Sequence, residues 1–94
     1  MIRLNAFFEI KDPADCAKAI ELGTELTQKS LLDKGNIAYD LFRSTTRPQV
    51  MMFCETWDNE EDLAAHAASA HFTTLVPAIE ALTVNGLKLE RFEF

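Results

Sequence analysis

The stretch ETWDNEEDLAAHAASAHF, residues 55–72, joins a predicted β-strand to two predicted helical segments. It contains both histidines of the chain, His66 and His71, and the single tryptophan, Trp57. Glu55 lies two residues before Trp57, and alternate residues of a strand point to the same side of a sheet. The sequence therefore predicts that a carboxylate, an indole and two imidazoles gather where this strand meets the following helix.

Four segments alternate their side chains with the period of two that is typical of a β-strand. These predicted strands cover residues 2–10, 36–44, 50–57 and 87–94. In the third strand both faces are largely apolar, and strands of this kind are usually covered on both sides. One layer of helices covers only one face of a sheet, so the pattern indicates a second covering element.

Apolar residues spaced by three and four predict helices after the first and third strands. The first helix covers residues 12–34, from an Asp-Pro start to a Lys-Gly end. The second starts at Asp58 or Asn59, and Ser69 starts a third segment. Pro77 lies inside the apolar pattern of that segment, which predicts a kink or a break.

The order β-α-β-β-α(α)-β predicts an α+β, ferredoxin-like fold with a four-stranded antiparallel sheet and its helices on one face. The 94 residues suffice for a single domain, residues 1–94, with a small core. The opposite face of the sheet would expose apolar residues in a monomer. We therefore expect a homodimer in which a second copy lies sheet against sheet.

Charge and hydropathy exclude several classes of partner. The chain has 15 acidic and 9 basic residues, a net charge of −6, and its basic residues are scattered. Because phosphate backbones bind to clusters of Lys and Arg, we expect neither nucleic acid nor anionic membrane as a partner. No apolar run is long enough to span a bilayer, and the N-terminus lacks the pattern of a signal peptide. Cys16 and Cys54 form no CxxC pair, which favours free thiols in the cytoplasm.

A spaced set of residues runs from the second predicted strand to the last helix. The set comprises Gly35, Tyr39-Asp40-Leu41-Phe42-Arg43-Ser44, Glu55, Trp57-Asp58, Glu61, Leu63, His66, Ser69 and His71-Phe72. This pattern resembles the antibiotic biosynthesis monooxygenase (ABM) family, and the resemblance implies a dimeric α+β barrel. The family includes cofactor-independent quinol and polyketide monooxygenases, haem-degrading enzymes, an isomerase of a phosphorylated signal, and members without an assigned role.

The resemblance to the haem-degrading branch breaks down at the haem ligand. Those proteins carry an asparagine on the first strand, which Asn5 matches, but their helical tryptophan falls at His66. Their haem-ligating histidine falls where this chain has Leu75 and Val76. GxGxxG, P-loop and GxSxG motifs are absent, and the histidine spacing matches no zinc signature. We therefore expect no cofactor and no metal.

Glu55, His66 and His71 are the predicted catalytic residues. Glu55 stands on an otherwise apolar strand face, where a buried carboxylate needs a partner or a proton. A histidine of the following helix is the nearest candidate, either to orient a base or to tie the strand to the helix. His66 and His71 are five residues apart, so a helix break near Ser69 is needed to bring both rings to one cavity. Imidazole is well suited to move a proton near neutral pH.

The predicted substrate pocket is aromatic, although the same side chains also suit an ordinary core. Its predicted substrate-binding residues are Asn5, Tyr39, Phe53, Trp57 and Phe72. The leading hypothesis is a cofactor-independent monooxygenase that oxidises a quinol or a similar electron-rich aromatic with oxygen. Two alternatives remain open: an isomerase or tautomerase of a small hydroxy-ketone, phosphorylated or not, and a non-catalytic dimeric ligand-binding module.

Overall fold

Four strands form one antiparallel sheet in the order β2-β3-β1-β4. The structure, a computed structural model, describes residues 1–94. The strands are β1 (Ile2–Glu9), β2 (Asn36–Arg43), β3 (Val50–Trp57) and β4 (Lys88–Glu93). The central strands β1 and β3 pair along their whole length, with Leu4 opposite Glu55 and Ile2 opposite Trp57. This sheet and the element order confirm the predicted α+β, ferredoxin-like fold.

The helices are α1 (Cys16–Ser30), α2 (Glu60–Ala67) and α3 (Ala70–Glu80), with a short 3₁₀ turn at Pro13–Asp15 before α1. Asn59 caps α2 by accepting a hydrogen bond from the Asp62 amide at 2.9 Å. Ser69 caps α3 in the same way, through the Phe72 amide at 3.2 Å. The predicted start at Ser69 is thus confirmed. The sequence predicts a kink or a break at Pro77, and the break does not occur, since α3 continues through this residue to Glu80.

The loop between α1 and β2 begins earlier than the sequence predicts. Helix α1 ends at Ser30, so Asp33 lies in a turn instead of the last helical residues. Gly35 ends this turn with φ of +78°, in the left-handed region that side chains disfavour. A Cβ atom built at Gly35 would come within 2.5 Å of the Asp62 Cβ on α2. The glycine therefore lets the loop pack directly against α2.

The two faces of the sheet differ in burial. The helix-covered face is buried and includes Leu4 and Phe8 of β1 and Phe53 and Trp57 of β3. The outer face carries large apolar side chains that this chain leaves exposed, among them Phe7, Phe42 and Phe92. The helices of the chain are all too short or too polar to cross a membrane.

Candidate active site

Glu55 is a buried carboxylate on the helix-covered face of β3. It is only 6% exposed, and its Oε1 accepts a hydrogen bond of 2.9 Å from the indole Nε1 of Trp57. Tyr39 of β2 lies opposite it in the sheet. Burial raises the pKa of Glu55 to about 7, while hydrogen bonds from Trp57 and Tyr39 favour the ionised form. Glu55 can therefore gain or lose a proton near neutral pH.

Asp33 joins the two histidines. Its Oδ2 lies 2.8 Å from His66 Nδ1 and 2.8 Å from His71 Nε2. Because a carboxylate only accepts hydrogen bonds, each of these ring nitrogens donates. In the neutral His66 ring the lone pair is then on Nε2, and this atom is buried without a hydrogen-bond partner.

The histidine partner is therefore Asp33, and the Glu55–histidine pair suggested by the sequence does not form. Trp57 lies two residues along the same strand face, and its indole N–H already donates a hydrogen bond to Glu55. His66 instead directs Nδ1 toward the α1–β2 loop. Sequence reasoning missed Asp33 because the residue falls inside the predicted first helix. Gly35 was the available signal, since a glycine two residues later marks a turn.

Aromatic rings surround His66, which is only 2% exposed. Its ring centroid lies 4.5 Å from that of Trp57, 5.2 Å from that of Phe72 and 5.7 Å from that of Tyr39. Burial lowers the pKa of His66, and the neighbouring Asp33 only partly opposes this effect. The imidazole is therefore neutral at physiological pH, the form in which Nε2 can accept a proton.

A cavity of about 440 Å³ lies between the sheet and the helices. Its wall is mostly apolar, and both Glu55 and His66 contribute to it. Three of the predicted substrate-binding residues also line it, namely Tyr39, Phe53 and Phe72. The cavity therefore brings together two of the three predicted catalytic residues and three of the five predicted binding residues.

The other three predicted site residues do not line this cavity. Trp57 is fully buried and contacts it through Glu55 and His66. His71 reaches it only through Asp33 and the His66 ring. Asn5 lies on the outer face of β1, beside Glu90 of β4, because alternate residues of a strand point to opposite sides. The sheet thus separates Asn5 from the cavity, and the predicted contact with the same substrate is not available to it.

The sequence profile of the antibiotic biosynthesis monooxygenase family matches residues 1–78. The chain belongs to this family. Its match covers β1 through most of α3, including every residue of the Glu55 and Asp33 clusters described above. ABM membership agrees with the fold, which a solved structure described as an antibiotic biosynthesis monooxygenase shares.

Relatives of this ABM chain span nearly its whole length. It is 29% identical over 93 residues to the "Putative monooxygenase YcnE" of Bacillus subtilis, covering 99% of this chain and 97% of that protein. A crystal structure from Bacteroides thetaiotaomicron, of unknown function and described as a "Possible Oxidoreductase", is 50% identical, with a TM-score of 0.92 and coverage of 99% and 96%. A crystal structure described as an antibiotic biosynthesis monooxygenase is 30% identical, with a TM-score of 0.93 and coverage of 100% and 98%.

Proposed function

We propose that this protein is a cofactor-independent monooxygenase that oxidises a quinol or a similarly electron-rich aromatic with molecular oxygen. The observation that carries the proposal is the free Nε2 of a neutral, buried imidazole on the wall of an apolar cavity. Membership of the ABM family and the monooxygenase description of a relative support the same class of reaction.

His66 is the proposed general base. Its Nε2 takes the proton of a substrate hydroxyl group, and the ring becomes an imidazolium. Asp33 accepts a hydrogen bond from Nδ1–H of that ring, which fixes the ring orientation and stabilises the positive charge as it forms. His71 donates to the same Asp33 oxygen and so positions the carboxylate. We assign His71 a positioning role for this reason.

The quinolate left by proton removal is the reductant for oxygen. It transfers one electron to O₂, and the resulting semiquinone and superoxide combine to form a carbon–oxygen bond. The His66 imidazolium returns its proton to the peroxide, giving a ring hydroperoxide. The ring carbon that bears this group then loses its proton, and the C–H electron pair forms a C=O bond as the O–O bond breaks. The released hydroxide takes up that proton and leaves as water. After tautomerisation the balance is quinol plus O₂ to hydroxyquinone plus H₂O. An apolar cavity favours this sequence because it limits competing proton transfer from water.

Tyr39 and Glu55 complete the polar part of the cavity wall. Burial and the nearby Glu55 carboxylate raise the pKa of Tyr39, so its hydroxyl stays neutral. Its one proton is donated to Glu55, and its oxygen can accept a hydrogen bond from a substrate hydroxyl. Glu55 exchanges a proton near pH 7 and provides a second acceptor for a two-hydroxyl substrate. Phe53 and Phe72 offer the flat apolar surfaces that an aromatic ring contacts.

The charge of the cavity wall favours an uncharged substrate. Its ionisable side chains are Tyr39, Glu55, His66, Glu80 and Arg91, and Arg91 is the only Lys or Arg side chain among them. The Arg91 guanidinium already binds the carboxylates of Glu60 and Glu93. A phosphorylated substrate would meet no free Lys or Arg there, which weighs against an isomerase of phosphorylated hydroxy-ketones.

Oxygen labelling tests the proposal directly. The purified protein is incubated with a menadiol-like quinol under ¹⁸O₂, and the product is analysed by mass spectrometry. We expect one labelled oxygen atom per product, formed faster than in buffer and faster than with His66→Ala. Enzyme-dependent oxidation without label would indicate a quinol oxidase, and turnover of a hydroxy-ketone without oxygen would indicate an isomerase. No enzyme-dependent conversion would support a ligand-binding module and contradict the proposal.

We also propose that the protein acts as a homodimer. The motivation is the outer sheet face, where Phe7, Phe42 and Phe92 of three different strands are exposed together. A second copy placed on this face would bury the three rings in a symmetric contact. Light scattering at micromolar concentration should give twice the monomer mass of 10.6 kDa. A stable species at the monomer mass would remove this proposal.

A further inference from the structure

Asp33, His66 and His71 form a cluster with a composition typical of transition-metal sites. Each residue offers one ligand atom, and the three atoms lie within 4.8 Å of one another. Two imidazole nitrogens and one carboxylate oxygen are the ligand set found in three-ligand zinc sites and in two-histidine, one-carboxylate iron sites. We infer that this cluster binds one divalent first-row transition-metal ion, with Zn²⁺ and Co²⁺ as suitable probes.

The donor atoms already converge on one point. His66 Nδ1 and His71 Nε2 both lie 2.8 Å from the same Asp33 oxygen, each through a single proton. One cation can take the place of the two N–H hydrogens, because each neutral ring can carry its proton on its other nitrogen, Nε2 in His66 and Nδ1 in His71, and offer the freed lone pair to a cation that the same carboxylate attracts. Ligands that share a zinc ion at about 2.0–2.2 Å lie about 3–3.5 Å apart. The two ring nitrogens, now within 4.8 Å of each other, must therefore approach by up to roughly 1.5 Å.

The surroundings permit this movement. His71 lies in the first turn of α3, directly after the break between α2 and α3 at residues 68–69. Its side chain is 15% exposed and that of Asp33 is 21% exposed, so solvent reaches the cluster from one side. Water can therefore complete the coordination shell, as it does in sites with three protein ligands. The stiffest ligand is the buried His66, about which the other two can adjust.

The linear sequence conceals this site. The two histidines are five residues apart on different helices, and the carboxylate comes from a loop more than thirty residues earlier. Short zinc signatures rely on ligands a few residues apart on one element. Glu55 is bound to Trp57 and does not join the cluster. The inference does not depend on the proposed oxygenase activity, since binding is measured without substrate.

Metal titration of the full chain, free of any affinity tag and first treated with a chelator, tests the inference. Co²⁺ is followed by its visible absorption and Zn²⁺ by calorimetry. We expect one ion per chain, with Zn²⁺ displacing Co²⁺. Asp33→Asn and His71→Ala should each weaken binding by about 100-fold, since even the loss of an outer-shell partner costs about 10- to 100-fold. The matched control Asp40→Asn changes an exposed aspartate on β2 and should leave the affinity within about twofold.

A second readout needs no variant and so does not depend on how the substitutions fold. Zn²⁺ should shift the imidazole ¹⁵N resonances of both histidines in the unmodified protein, with one coordinated nitrogen in each ring. The inference is overturned if the wild-type protein binds Zn²⁺ no more tightly than Asp33→Asn. It is equally overturned if Zn²⁺ leaves both imidazole spectra unchanged, which would show that the cluster is held by hydrogen bonds alone.

Discussion

The candidate site contains two carboxylates, and the protein holds them in opposite ways. Glu55 is on a central strand, is 6% exposed and receives a hydrogen bond from an indole. Asp33 is on a loop, has a side chain that is 21% exposed and contacts two imidazoles. Burial without a cationic partner makes Glu55 a weak acid, whereas Asp33 acts through the rings that it orients. The comparison separates a carboxylate that can exchange a proton from one that positions a base.

The largest expected effect is at His66, which hydrogen-bonds to Asp33 and lines the cavity together with Glu55. His66→Ala removes the proposed base and should lower kcat/KM for quinol oxidation by about 10³-fold, within the usual range for general bases. Steady-state oxygen uptake measures the loss. Circular dichroism serves as the control for folding, because the ring is buried. A folded variant with a loss below about threefold would contradict the role of His66.

The second largest effect is expected at Glu55 on β3, and it changes the free energy of unfolding. The native pKa of Glu55, about 7, lies above its ordinary value of 4.5, so the folded protein binds this proton more strongly than the unfolded chain. Its contribution to the free energy of unfolding is therefore greatest below about pH 4.5 and is lost as the pH rises to about 7, by up to about 3 kcal/mol. Glu55→Gln cannot ionise and retains an acceptor for Trp57.

Urea unfolding of wild type and Glu55→Gln from about pH 5 to 8 measures this difference. The advantage of the variant over wild type should grow with pH and level off above about pH 7. His66 contributes a slope of opposite sign in both proteins, because its lowered pKa makes the unfolded chain bind the proton more strongly. If the difference in the free energy of unfolding between variant and wild type is constant with pH, Glu55 has the same pKa in the folded and unfolded chain, which contradicts the prediction.

A smaller effect is expected at Asp33, in the loop between α1 and β2. Asp33→Asn should lower kcat by about 10- to 100-fold, because an amide stabilises the His66 imidazolium less well than a carboxylate. Asp33 also raises the pKa of His66, so the acid limb of the pH–rate profile should move to lower pH in the variant. Asp40→Asn is the matched control. An unmoved acid limb would assign Asp33 a purely structural role.

The smallest effect is expected at His71, which does not line the cavity. His71→Ala leaves the Asp33–His66 hydrogen bond in place and should reduce kcat by less than about tenfold, with KM nearly unchanged. Comparison with His66→Ala under the same assay ranks the two rings. A loss as large as that of His66→Ala would make His71 a direct participant in the reaction.

The sequence predicts the fold well because its hydrophobic periods are consistent with the element order. Alternation in residues 2–10 and 50–57 identifies the buried faces of β1 and β3, and the capping residues Asn59 and Ser69 fix the starts of α2 and α3. The same alternation places Asn5 on the face opposite Glu55. Its proposed substrate contact came from the family resemblance, and the strand geometry separates the two positions.

Only part of the candidate site can be predicted from the sequence, because some of its contacts join residues that are far apart in the chain. Glu55, His66 and the cavity-lining aromatic residues follow from one local stretch and its neighbouring strand. Asp33 depends on where α1 ends, and helix ends are the least certain feature of a periodic pattern. The choice of Asp33 over Glu55 as the histidine partner depends on ring orientation, which only tertiary packing decides.

The absence of a side chain at Gly35 affects more than the turn that this residue ends. The Gly35 carbonyl accepts a hydrogen bond from the Asp58 amide at 2.8 Å, and its bare Cα faces Asp62 on the helix that carries His66. Loop and helix therefore pack closely together, and the Asp33–His66 hydrogen bond joins the same two elements. A methyl group added at position 35 would push the loop away from α2. The position of the Asp33 carboxylate relative to the His66 ring therefore depends on the absence of a Cβ atom at Gly35.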